Sequence, residues 1–95
     1  MGRLRLIVLD VLKPHTPSIL DIASQLSDLE GLDGVDIIVT EIEKDVETVK
    51  ITMSGESINF EDVKKLIERN SCSIHGVDKV TCGSKIIEEA PTHHN

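Results

Sequence analysis

The stretch Leu4 to Pro17, LRLIVLDVLKPHTP, constrains the fold more than any other part of the chain. Leu4, Leu6, Val8 and Leu12 share one phase of a strand, and Ile7, Leu9 and Val11 share the other. A strand apolar in both phases belongs in the middle of a sheet, with its second face covered by something. Asp10 breaks the first row, and Lys13-Pro14 stops the ladder, because proline lacks a backbone donor and restricts the residue before it. Thr16 then reads as a helix N-cap with Pro17 at the first helical position. Ile19, Ile22, Ala23, Leu26 and Leu29 follow the spacing of an amphipathic helix, and Gly31 is placed to end it.

Residues 35–43 are rich in Ile and Val and predict a second strand, whose imperfect alternation calls for a bulge or a second covered face. After the turn at Lys44-Asp45, residues 47–54 alternate cleanly, with Val49, Ile51 and Met53 inward and Thr48, Lys50 and Thr52 outward. The pair forms a hairpin with an acidic tip. Asn59 with Asp62 predicts a capped start to a second helix, whose buried stripe is Phe60, Val63, Leu66 and Ile67 and whose end is Asn70. A last strand falls between Ser73 and Ile87, with Gly76 and Gly83 as weak points or bulges. The order is βαββαβ in two halves. With right-handed crossovers these interlock into a ferredoxin-like α+β sandwich, a four-stranded antiparallel sheet with both helices on one face. The domain is expected over residues 1–87, followed by a polar, flexible tail at 88–95.

Two helices cover one face of that sheet, so the second apolar row of the first strand predicts self-association through the sheet or its edges. Composition narrows the other partners. A net charge of -7 argues against a nucleic-acid binder, and a single aromatic residue, Phe60, leaves no stacking platform. No apolar run approaches the roughly 20 residues needed to span a bilayer. The N-terminus shows no signal-peptide pattern, so the expected compartment is the cytoplasm, with Cys72 and Cys82 as reduced thiols.

The fold hosts many functions, so chemistry has to come from particular residues. Two cysteines cannot hold an iron–sulfur cluster, and the first loop lacks both a Cys-x-x-Cys and an anion cradle. Cys72, His75 and Cys82, with His15, carry zinc-capable atoms without a recognised spacing, and packing roles fit them better. A hard cation, calcium or magnesium, needs several oxygen ligands; Glu41, Glu43, Asp45 and Glu47 crowd the hairpin tip, and Asp10 and Asp78 fall on neighbouring strands. The competing explanation is a solvated acidic surface. The most distinctive polar cluster is Asp10, Lys13 and His15 before a helix start, with His75 and Asp78 able to approach from the last strand. It suits a small ligand, and acid–base chemistry at His15 or His75 is a more distant option, since no nucleophile or water-excluding pocket can be named.

Leu9 to His15 (LDVLKPH), the Gly34-Val35-Asp36 turn and Ser73 to Val80 (SIHGVDKV) resemble a small archaeal family catalogued only as a domain of unknown function. The resemblance runs along essentially the whole chain. It implies a ferredoxin-like domain that assembles into homo-oligomeric rings of about six or seven subunits. It brings no established activity and no catalytic residues. Its motif positions here are Asp10, Lys13, Pro14, His15, His75 and Asp78, and Gly76 stands where a serine is expected. Two functions follow as expectations: a non-enzymatic ring-forming protein that binds a divalent cation or a small ligand, or a regulatory sensor like the ACT domains, which take an effector between subunits.

Overall fold

A computed structural model describes residues 2–87; the tail expected at 88–95 lies outside the described residues. The elements run β1 (Leu4–Pro14), α1 (Ile19–Ser27), β2 (Leu32–Ile42), β3 (Val46–Gly55), α2 (Phe60–Arg69) and β4 (Ser73–Cys82). The sheet order is β2-β3-β1-β4, with every neighbouring pair antiparallel. This is the ferredoxin-like α+β sandwich, and β1 is interior, as its double apolar pattern requires.

The core lies on the helix side. Cross-strand pairs Ile7–Met53, Leu9–Ile51 and Val11–Val49 present one row inward. Ile22 and Leu26 of α1 and Val63, Leu66 and Ile67 of α2 close over it, all buried in one cluster. The opposite phase of β1 is half-buried rather than bare. Leu6 lies between Ser54 and Thr81, Val8 between Thr52 and Lys79, and Leu12 between Thr48 and Ser73. Hydroxyl-bearing and long-stemmed neighbours flank each aliphatic side chain, so the open face is less apolar than the alternation of β1 alone suggests.

Several boundaries differ from the sequence expectation. The N-cap of α1 is Ser18, not Thr16: its hydroxyl accepts from the Asp21 amide at 3.2 Å. Pro17 stands before the cap because its carbonyl accepts from the Lys13 ammonium at 2.6 Å. The helix ends at Ser27, and Leu29 packs on the core from the turn beyond it. The irregularity of β2 is a bulge, since its register with β3 shifts between Val39 and Glu41. Val35, Ile37 and Val39 pack on the core, while Ile38 and Ile42 stay exposed. On β4 the unmatched residues are His75 and Asp78, on either side of Gly76 and Val77, and Gly83 falls after the strand. Cys82, expected to be a small buried residue, is exposed, and Cys72 is buried.

Gly31 and Gly55 permit a close backbone crossing where β2 begins and β3 ends. A Cβ on Gly55 would collide with the Gly31 carbonyl, and a Cβ on Gly31, which has φ of +90°, with the Ser57 carbonyl. Gly76 has open space around it and an ordinary φ. Gly55→Ala is therefore expected to cost about 2 kcal/mol or more in chemical denaturation, while Gly76→Ala stays within about 0.5 kcal/mol of the parent.

Candidate functional site

Side chains alternate along a strand, so Asp10 and Lys13, three residues apart on β1, leave it on opposite faces. Lys13 continues the inward row of Ile7, Leu9 and Val11 and is 1% exposed. Its ammonium donates to the carbonyls of Pro14 at 2.7 Å and Pro17 at 2.6 Å, and to that of His15 at 3.4 Å. Its cross-strand partner is Glu47, whose Oε1 lies 3.3 Å from Nζ. The Lys-Pro-His-Thr-Pro loop thus wraps its carbonyls around a charge that the sheet register delivers to it.

Glu47 has a second partner. Its Oε2 is 3.0 Å from His15 Nδ1, and His15 Nε2 is 2.8 Å from the Lys44 carbonyl. The hydrogen bond to Glu47 and the one to the Lys44 carbonyl both hold the His15 imidazole above its usual pKa. Glu47 is held below the usual carboxylate range, first by His15 and then by Lys13. Lys13, His15 and Glu47 therefore form one network joining β1, the loop after it and the β2–β3 hairpin.

Asp10 and Asp78 come together on the open face around Lys50, one of the outward residues of β3. Lys50 pairs with Asp10 across β1 and β3, and its ammonium reaches Asp78 Oδ2 at 2.9 Å. Asp78 raises the Lys50 pKa, with Asp10 adding to it, and Lys50 lowers that of Asp78. The bulge places Asp78 on this face, beside a shallow groove lined by Val8, Lys79, Thr81 and Ile87. His75, on the other bulge, is exposed and belongs to neither cluster.

The five residues expected to share one ligand site thus divide: Lys13 and His15 with Glu47, Asp10 and Asp78 with Lys50, and His75 apart. Of the four hairpin carboxylates, Glu41, Glu43 and Asp45 are exposed and Glu47 is occupied by Lys13 and His15. Among the described residues no three His, Cys, Asp or Glu side chains gather to hold a metal ion. Cys72 donates weakly to the Asn70 carbonyl at 3.6 Å, and burial pushes its thiol pKa up, which suits packing rather than reactivity. No helix among the described residues is long and apolar enough to cross a membrane.

The fold and its two charged clusters define a small ferredoxin-like domain with an internal lysine network and an open sheet face. The chain belongs to the uncharacterized ArCR family, domain-of-unknown-function family 211, whose model matches residues 5–95. It is 47% identical over 92 residues to an uncharacterized protein of Methanocaldococcus jannaschii, an alignment covering 97% of this chain and 95% of that one. Neither description names an activity.

Lys13→Met keeps the length of the side chain but strands Glu47 Oε1 and the Pro14 and Pro17 carbonyls, leaving Glu47 held by His15 alone. It is expected to lose about 3 kcal/mol or more of unfolding free energy in urea. Arg3 pairs with Glu56 at 2.9 Å with both side chains largely exposed, so Arg3→Ala should be indistinguishable from the parent in the same titration.

Proposed function

We propose that this chain is a non-enzymatic, cytoplasmic, self-assembling protein whose copies join edge to edge into a closed homo-oligomeric ring, with the open sheet face available to a small ligand. The observation that carries this reading is the character of the two edge strands. β2 and β4 are 11 and 10 residues long, and among the described residues each has one strand neighbour in the sheet. Long edges of this kind are pairing surfaces unless something blunts them. Both carry aliphatic side chains that the core does not use: Ile38 and Ile42 on β2, at 55% and 71% exposure, and Val77 and Val80 on β4, at 53% and 56%.

The two edges differ in sequence, so β2 of one copy meeting β4 of the next is a head-to-tail contact. Such contacts close into a ring when the rotation between copies divides a full turn, and rings of about six or seven agree with the family resemblance. The non-enzymatic part rests on saturation. Lys13 is enclosed by acceptors, both nitrogens of His15 are engaged, and neither cluster pairs a nucleophile with a free base.

A second reading, an ACT-like sensor taking an effector between subunits, draws on the groove beside Asp78 and Lys79 next to the β4 edge. It shares the assembly and adds an occupant.

Native mass spectrometry at micromolar concentration, with and without a chelator, tests the assembly. The expected result is one closed oligomer, unchanged by the chelator, and a folded monomer when Ile38→Lys and Val80→Lys are combined. A parent chain that stays monomeric would overturn it.

A further inference from the structure

We propose that His15 is a proton-operated clasp between the β1–α1 loop and the β2–β3 turn, closed by the imidazolium and opened when the ring loses a proton. The geometry allows one protonation state. The Lys44 carbonyl can only accept, and the ionised Glu47 carboxylate can only accept. Contacts of 2.8 Å and 3.0 Å, one at each ring nitrogen, therefore require both nitrogens to donate. A neutral imidazole has one N–H and makes one of the two bonds.

The bond to Glu47 is charge-assisted and the one to Lys44 is not, so a neutral ring keeps its proton at Nδ1. That choice turns a lone pair at Nε2 toward the Lys44 carbonyl, and the turn parts from the loop. The remainder of the site stays in place. Lys13 still holds Glu47 Oε1 and the Pro14 and Pro17 carbonyls. The turn then rests on its own closing bond, from the Glu43 amide to the Val46 carbonyl at 2.8 Å, which opens more often once the loop no longer holds the turn.

The charges around His15 come from three directions. β3 supplies Glu47, and β1 supplies Lys13, which shares Glu47 with it. The turn supplies the carbonyls of Lys44 and, more weakly, Glu43; the side chains of Glu43, Lys44 and Asp45 are exposed. Glu47 and the turn carbonyls favour the imidazolium and outweigh the like charge of Lys13 and the partial desolvation of the ring, so the His15 pKa stands above the unfolded value of about 6.5. The contribution of the clasp is thus fully present below that value and lost as pH rises through the folded pKa. Glu47, with a lowered pKa, sets the acid limit: its contribution is present above the ordinary glutamate value and lost as pH falls through the depressed one. Between those limits the clasp is complete.

The test uses nitrogen-15 and carbon-13 labelled full-length chain, titrated by NMR from about pH 5 to about pH 9, a range that brackets imidazole ionisation. Three readouts are expected to move together: the His15 ring nitrogens titrate above free imidazole, the Lys44 carbonyl carbon shifts along the same curve, and the Glu43 amide loses about three- to tenfold in exchange protection at the alkaline end. His15→Gln should remain folded, because the residue is exposed, and should remove the pH dependence of Lys44 and Glu43. A ring that titrates at or below free imidazole would overturn the proposal. So would a Lys44 carbonyl that ignores the His15 titration, or a pH response that survives in His15→Gln.

Discussion

A lysine occupies the place on β1 where the inward row of Ile7, Leu9 and Val11 would take another aliphatic side chain, and much of this end of the molecule is arranged around it. An ammonium taken out of water costs several kcal/mol unless charge and hydrogen bonds replace its hydration. The replacement comes from two sources at different sequence distances. The β1–α1 loop bends back to offer the Pro14 and Pro17 carbonyls, and the register of β1 with β3 sets Glu47 directly opposite. Both depend on backbone geometry. The two prolines cannot donate and so compete for none of these acceptors, and the antiparallel ladder tolerates no slip without moving Glu47 to the wrong face.

Once Lys13 is committed inward, alternation decides the rest. Asp10 must emerge on the open face, where Lys50 is its cross-strand partner and the bulge at Asp78 brings a second carboxylate within reach of the same ammonium. The sheet therefore separates two charge networks that look like one cluster along the chain. Each is internally compensated, and neither gathers the three oxygen, nitrogen or sulfur donors of a metal centre among the described residues. A compensated network orders the backbone around it.

The fold was legible because its evidence is local and periodic. The double-phase run of β1, the clean alternation of Thr48 to Met53 and the Asn59–Asp62 cap each specify an element within a few residues. The candidate site was half legible. Asp10, Lys13, His15 and Asp78 were visible as polar residues in apolar surroundings, yet Glu47 looked like one of four acidic hairpin residues and Lys50 like an outward spacer between threonines. Their roles depend on the offset between β1 and β3, which no periodicity within either strand contains. The N-cap erred for a related reason: Thr16-Pro17 is a good local start, but the Pro17 carbonyl is used by Lys13, and Ser18 caps instead.

The same register argument bears on how exposed apolar residues are distributed. On β1 the open-face aliphatics sit between threonine, serine and lysine neighbours on both adjoining strands, so an interior strand shields its own second row. An edge strand has a neighbour on one side only, and β2 and β4 leave Ile38, Ile42, Val77 and Val80 uncovered to at least half of their area. Apolar exposure is thus set by strand position more than by the strength of the hydrophobic pattern, since β1 has the most continuous pattern and β2 the most irregular one. Surfaces available to a second copy then lie at the two ends of the sheet rather than across its middle. The Asp10–Lys50–Asp78 network, which spans β3, β1 and β4, faces away from the core.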